Sequence, residues 1–193
     1  TVATAVSGIQ KAMKHVSNIN VYGFAIFLIF LLVFSNASFL FNLSTEALGG
    51  FAGTFIERIL ITGESVGTQW PQWWTTFYWF SWMAWAPTSG AFMGQIAYGR
   101  KVKHVLGLYV GLCASVSALW MVLVSGTSLW VQTSGLFDLV ASYDRGVENV
   151  PYDMLGALPL GNLIIPLFVV LIFLSTITAC NSNCIAMAGI STQ

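Results

Sequence analysis

The seven Lys/Arg and seven Asp/Glu residues of this chain fall in four short clusters, and the stretches between them carry no formal charge. The clusters occupy 11–14, 46–64, 100–103 and 138–153. Because about 20 apolar residues in a helix cross a bilayer, long charge-free runs with charged ends read as membrane spans. Composition agrees: charged residues make up 7% of the chain against about 25% in soluble domains. Mean hydropathy is +0.78. Disorder, a cytosolic enzyme and a disulfide-stapled secreted module are thereby excluded. The net charge is zero, and no basic block is present to neutralise phosphates, so nucleic-acid binding has no electrostatic basis. Cys113, Cys180 and Cys184 lie in apolar runs with no nearby His, which reads as small packing residues and not as a metal site.

The expected fold is all-α, a polytopic helical membrane protein in one partial transmembrane domain. Residues 1–19 read as the end of a preceding helix, and 21–41, 74–98, 105–131 and 160–188 as spans. Between the first two spans, 44–62 reads as an amphipathic interfacial helix with Ser44 as its N-cap. Its Leu48, Phe51, Phe55 and Ile59 recur at helical spacing, opposite Glu46, Thr54, Glu57 and Arg58. A start at Thr1 without Met, and an end at Gln193 just after an apolar run, suggest a piece of a longer polypeptide. Lys11, Lys14, Arg100, Lys101 and Lys103 fall at one set of span ends and all the acidic residues at the other. By the positive-inside rule the basic ends face the cytoplasm, and the acidic loop 132–152 faces outward.

One span stands out. Trp74-Thr75-Thr76-Phe77-Tyr78-Trp79-Phe80-Ser81-Trp82-Met83-Ala84-Trp85-Ala86-Pro87 carries tryptophans well past the interfacial belt. At 1.5 Å per residue, Trp79, Trp82 and Trp85 lie about 4.5 Å apart along the axis toward mid-bilayer. A quaternary ammonium has no N–H to donate, so an indole face holds it best in a desolvated site, by about 2 kcal/mol or more per good contact. Helix packing or lipid contact explains the same spacing equally well. Pro87 should kink the helix near Met83 to Pro87, and Gly90 and Gly94 then form a close-approach face, as Gly107 and Gly111 do in the next span. Broken, cavity-lining helices are a transporter device.

The run from Trp74-Thr75 through Trp85-Ala86-Pro87, with Gly90 and the Gly99-Arg100 exit, resembles the signature helix of the betaine/choline/carnitine transporter family. It matches the pattern W-T-x-F-Y-W-x-W-W-x-x-W-x-P except at Ser81, where the family usually has Trp. Ser7 to Lys11, Ser17-Asn18, the amphipathic segment and Thr178 to Ser191 follow in the family's order, so nearly the whole chain is similar to the second half of that fold. The resemblance implies a leucine-transporter-type inverted repeat and a homotrimer built partly by the amphipathic helix. It also implies a substrate site in which Trp82 is a wall of an aromatic box, Trp85 lies on its cytoplasmic side and Trp79 supports it. Tyr78 and Ser81 complete the candidate set, and Ser81 bears on pocket shape.

The last span carries Ser175, Thr176, Thr178, Asn181, Ser182 and Asn183 in an apolar helix. Polar groups at depth are costly and are usually paired or functional, although Ser and Thr also satisfy themselves on backbone carbonyls. Sodium-coupled members of the resembled family place Thr and Ser here, followed by Ala-Asp-Ser. This chain reads Thr178-Ala179 and then Cys180-Asn181-Ser182. One hydroxyl and one carboxylate are missing, so a sodium site rests on Thr178 with Ser175 or Ser182 compensating.

The function expected from residues and resemblance is secondary transport of quaternary-ammonium or related zwitterionic osmolytes such as glycine betaine, choline or carnitine. The mechanism is alternating access in the plasma membrane, driven by sodium or protons or run as exchange. No organic cofactor is implied. The other reading is a structural membrane subunit that keeps the fold without transporting. No paired carboxylates within a span, nucleophile beside a base or phosphate loop supports an enzyme.

Overall fold

The computed structural model describes residues 9–191. The expectation for 1–8, including Ser7 and Gly8, therefore lies outside the described residues, as does the side chain of Lys11. Residues 1–45 with 101–180 form one compact unit, and 46–100 with 181–193 form another. The described residues are overwhelmingly helical.

In the first unit, helix α1 (Ile9–Phe34) runs without interruption. The expected boundary near residue 20 does not exist. No Gly or Pro breaks the polar stretch 14–20, Lys14 and His15 stay exposed, and the Asn20 side-chain amide donates to Ser175 Oγ at 2.8 Å. The helix ends where Ser35 Oγ bonds the Leu31 carbonyl. Asn36 Oδ1 then accepts from Phe39 N–H, so Asn36 caps α2 (Ala37–Leu60). Ser44 is consequently not a cap: it sits inside α2 and donates back to Leu40 O. The expected boundary at 41–44 thus moves to Ser35-Asn36.

Helix α4 (Val102–Thr133) contains two π-helical stretches, Gly107–Leu112 and Met121–Ser125. The acidic segment after it is ordered. Asp138 caps α5 (Leu139–Arg145) through its carboxylate, which accepts from Val140 and Ala141 N–H. Gln132 Oε1 accepts from Leu139 N–H at 2.6 Å. A left-handed-side Gly146 and a 3-10 turn lead to α6 (Val150–Gly156). Ser142, wholly buried, donates to Asp153 Oδ2 at 2.6 Å, and Arg145 reaches the same oxygen at 2.8 Å.

Helix α7 (Gly161–Ser191) passes through Pro166 and packs antiparallel to α1. Phe27 and Phe168 stack at 5.0 Å and 20°, and Gly23 leaves room for Leu171. Phe27, Leu31, Leu40, Val131, Met154, Leu155 and Leu171 form the centre of this unit's core.

The second unit contains α3 (Trp70–Ile96), 27 residues long. It begins four residues before the expected Trp74. Thr68 Oγ1 accepts from Trp70 N–H and Pro71 occupies the first turn, where its missing N–H costs nothing. The helix is continuous through Pro87. Proline removes only the bond to the Met83 carbonyl, a local loss that a long helix survives.

Among the described residues, three helical stretches are long and apolar enough to cross a membrane: Lys14–Phe34, Val102–Thr133 and Gly161–Cys184. Helix α3 is not among them, although it carries no charge and rises about 40 Å. Its indoles, phenol and amides lower its hydropathy. The three cysteines are free and exposed on helix faces, not packed inside as expected, because the faces they occupy are uncovered.

Candidate functional site

The candidate substrate residues all lie on α3. A helix brings positions three and four apart onto one face, so Trp74, Tyr78, Trp82 and Trp85 share a stripe, with Ser81 beside it. At the start of this stripe the rings touch: Trp70 meets Trp74 at 5.8 Å, and Trp74 meets Tyr78 at 5.6 Å and Phe77 edge-on at 5.9 Å. Further along, Trp79, Trp82 and Trp85 are 64%, 69% and 52% exposed. The stripe therefore leaves its indoles uncovered on the helix surface, with Ser81 half-buried at its edge. Tyr78 is joined to these touching rings, whereas Trp79, Trp82 and Trp85 are not gathered into a closed box within this unit.

Beside the first turns of α3 lies a groove of about 590 Å³, lined by Glu64, Gln69, Gln72, Trp73, Thr76 and Phe77. The loop that forms it turns through Gly63 (φ 78°) and Gly67 (φ 66°), left-handed conformations that a Cβ disfavours. Gln72 fastens the loop to α3 through the Thr62 carbonyl. The groove was not expected: Gln72, Trp73, Thr76 and Phe77 lie on α3, but the wall facing them, Glu64 and Gln69, comes from a loop without a motif.

Of the ion-site candidates, Ser175 accepts the Asn20 amide, and Thr178 Oγ1 donates to Leu174 O at 2.9 Å. Ser182 is half-buried in the second unit. Ala179, where the hydroxyl is missing, is exposed. Asn20 was not among the expected site residues. Its partner lies 155 positions away, a separation that no local pattern bridges.

The model of the betaine/carnitine/choline family transporters matches residues 1–193. The chain belongs to this family. Family members are transporters, not enzymes, and the chain is a piece of multi-pass membrane architecture. It is 28% identical over 195 residues to a probable glycine betaine transporter of Desulfitobacterium hafniense, covering 100% of this chain and 38% of that protein. Uncharacterized transporters of Mycobacterium bovis and Mycobacterium tuberculosis are each 28% identical over 181 residues, covering 94% of this chain and 30% of theirs. The chain thus spans about a third of the length of these relatives. The match to the Desulfitobacterium protein runs the whole length of this chain.

Proposed function

We propose that the protein to which this chain contributes is a secondary transporter of quaternary-ammonium or related zwitterionic solutes of the glycine betaine, choline and carnitine type. It works by alternating access in the plasma membrane, with sodium or protons as the coupling ion. The observation that carries this reading is the stripe of Tyr78, Trp82 and Trp85 on a helix that bears no charge from end to end. In a low-dielectric site an anion is costly to bury without a partner, whereas an indole face attracts a permanent cation and is itself neutral. Trp82 is the wall that meets the ammonium, Trp85 and Tyr78 flank it along the stripe, Trp79 supports it and Ser81 shapes the edge. The matching glycine betaine relative supports the solute class.

Helix α2 completes the reading. Leu48, Phe51, Phe55 and Ile59 are exposed. In the assembled protein this apolar face makes contacts between identical subunits, in a trimer.

The test is radiolabelled betaine and choline uptake into proteoliposomes containing the complete protein. Trp82→Leu keeps apolar bulk but removes the quadrupole, so apparent affinity should fall about thirty-fold, from a loss of about 2 kcal/mol. Trp82→Phe should lose less. Equal affinity in wild type and Trp82→Leu would reject the aromatic assignment. Absence of uptake by the wild type would favour a structural subunit.

A further inference from the structure

Helices α1 and α4, both with stretches of membrane-spanning length, run in the same direction within one unit. Trp120 of α4 meets Phe24 edge-on at 5.4 Å and lies 5.9 Å from Phe27. Six residues later Gly126 meets Leu40, beyond the end of α1. Beside the contact of Phe24 with Trp120 the two helices leave a groove of about 630 Å³, with Asn20, Val21, Leu28 and Ser117 in its lining.

The groove is graded in polarity along α1. Lys14, Ser17, Val21, Phe24 and Leu28 recur at spacings of three and four, so they share one helix face. Lys14 is exposed, Ser17 and Asn20 are half-buried, and from Val21 onward this face is apolar. Helix α4 repeats the order, with Ser117 one turn before Trp120. At 1.5 Å per residue Lys14 and Leu28 stand about 21 Å apart along the axis, half the thickness of a bilayer counted with its headgroups. Charge follows the same direction. Lys14, Lys101 and Lys103 lie near the starts of α1 and α4, whereas the acids of this unit, Asp138, Asp144, Glu148 and Asp153, all follow the far end of α4. A cation, then hydroxyl and amide groups, then hydrocarbon is the complement of a glycerophospholipid, with its phosphate, ester region and acyl chain. A helix from elsewhere in the complete protein would cover the apolar part of the groove but bring Lys14 no anion.

We propose that the groove between α1 and α4 binds a membrane phospholipid with an anionic headgroup. Its acyl chain lies along Val21, Phe24, Leu28 and Trp120, and its phosphate meets Lys14. Hydrocarbon in the groove supplies the dispersion contacts that these side chains otherwise lack on their open side, and the lysine selects for negative charge at the membrane surface. The site requires only that the chain spans a membrane, so it stands apart from the transport reading.

The test is photolabelling of the purified complete protein, in detergent micelles, with a phosphatidylglycerol that carries a diazirine on its acyl chain. Adducts are located by mass spectrometry. Ile26 and Ile29, exposed on the opposite face of α1, report lipid that contacts the surface without selection. Adducts at Val21, Phe24, Leu28 and Trp120 should exceed those at Ile26 and Ile29, and unlabelled phosphatidylglycerol should displace them at lower concentration than phosphatidylcholine. Lys14→Gln, a change at an exposed position, should lower the groove adducts about fivefold and leave those at Ile26 and Ile29 unchanged. Equal labelling of the two faces, equal displacement by the two lipids, or groove adducts that Lys14→Gln leaves at the wild-type level or lowers no more than those of the opposite face would overturn the site. A groove without adducts, the result if another helix of the complete protein fills it, overturns it as well.

Discussion

Gly23 and Leu171 meet where a methyl group on the glycine would occupy the space of the leucine Cδ2. Leu171 is 2% exposed, so its side chain has little room to withdraw. Gly23→Ala should cost about 1–3 kcal/mol through overpacking. Leu171→Ala should cost about 2–5 kcal/mol through the cavity it leaves. The double variant should be more stable than the sum of the two losses predicts, because the new methyl fills part of the space. Thermal unfolding in detergent measures this, and strict additivity would contradict the close contact.

The network between α5 and α6 separates a buried hydrogen bond from an exposed ion pair acting on one carboxylate. The Arg145 side chain is 60% exposed and that of Asp153 27%. Solvent screening therefore limits the ion pair to about 1 kcal/mol or less. Ser142 is wholly buried and holds the same Asp153 oxygen at 2.6 Å. Ser142→Ala should cost about 1–3 kcal/mol, more than Arg145→Met, and its effect should be insensitive to salt. The two variants are compared by unfolding at low and high ionic strength, and a larger loss for Arg145→Met would reverse this ranking.

From the sidedness of charge, Lys101 and Asp144 are expected on opposite faces of the membrane. Cysteine substituted at each position should react with an impermeant maleimide from one side only, and from opposite sides for the two. Cys113, Cys180 and Cys184 are exposed on helix faces and must first be replaced. Labelling of both positions from the same side would overturn the topology.

Much of the helical plan was legible because charge is so unevenly distributed. Confining charge to four clusters delimits the apolar stretches of α1, α4 and α7 without reference to tertiary contacts. Tryptophan spacing likewise exposes the stripe on α3, since a helix fixes which residues share a face. Boundaries were harder. Ser44 follows the preference of N-caps for hydroxyls, yet a serine inside a helix satisfies itself on the carbonyl four residues back, and the real cap is Asn36. The acidic segment read as a loop because α5 and α6 are each too short to show a period. Their order comes from distant partners, Gln132 on Leu139 and Ser142 on Asp153. For the same reason Asn20 was silent in the sequence and became visible only when α1 and α7 paired.

The two π-helical stretches of α4 bear on how that helix can turn. A turn closed by i to i+5 bonds holds one residue more than an α turn, and each residue advances the azimuth by about 100°. Val102–Leu106, Cys113–Trp120 and Gly126–Thr133 are therefore three rods on one axis with independently set facing directions. Winding one wide turn tighter would swing a single rod about the axis without pulling on the hydrogen bonds of the other two. Torsion applied at the basic end of α4 can thus be absorbed at Gly107–Leu112 before it reaches the buried Thr127 and Val131, which anchor the far end in the core.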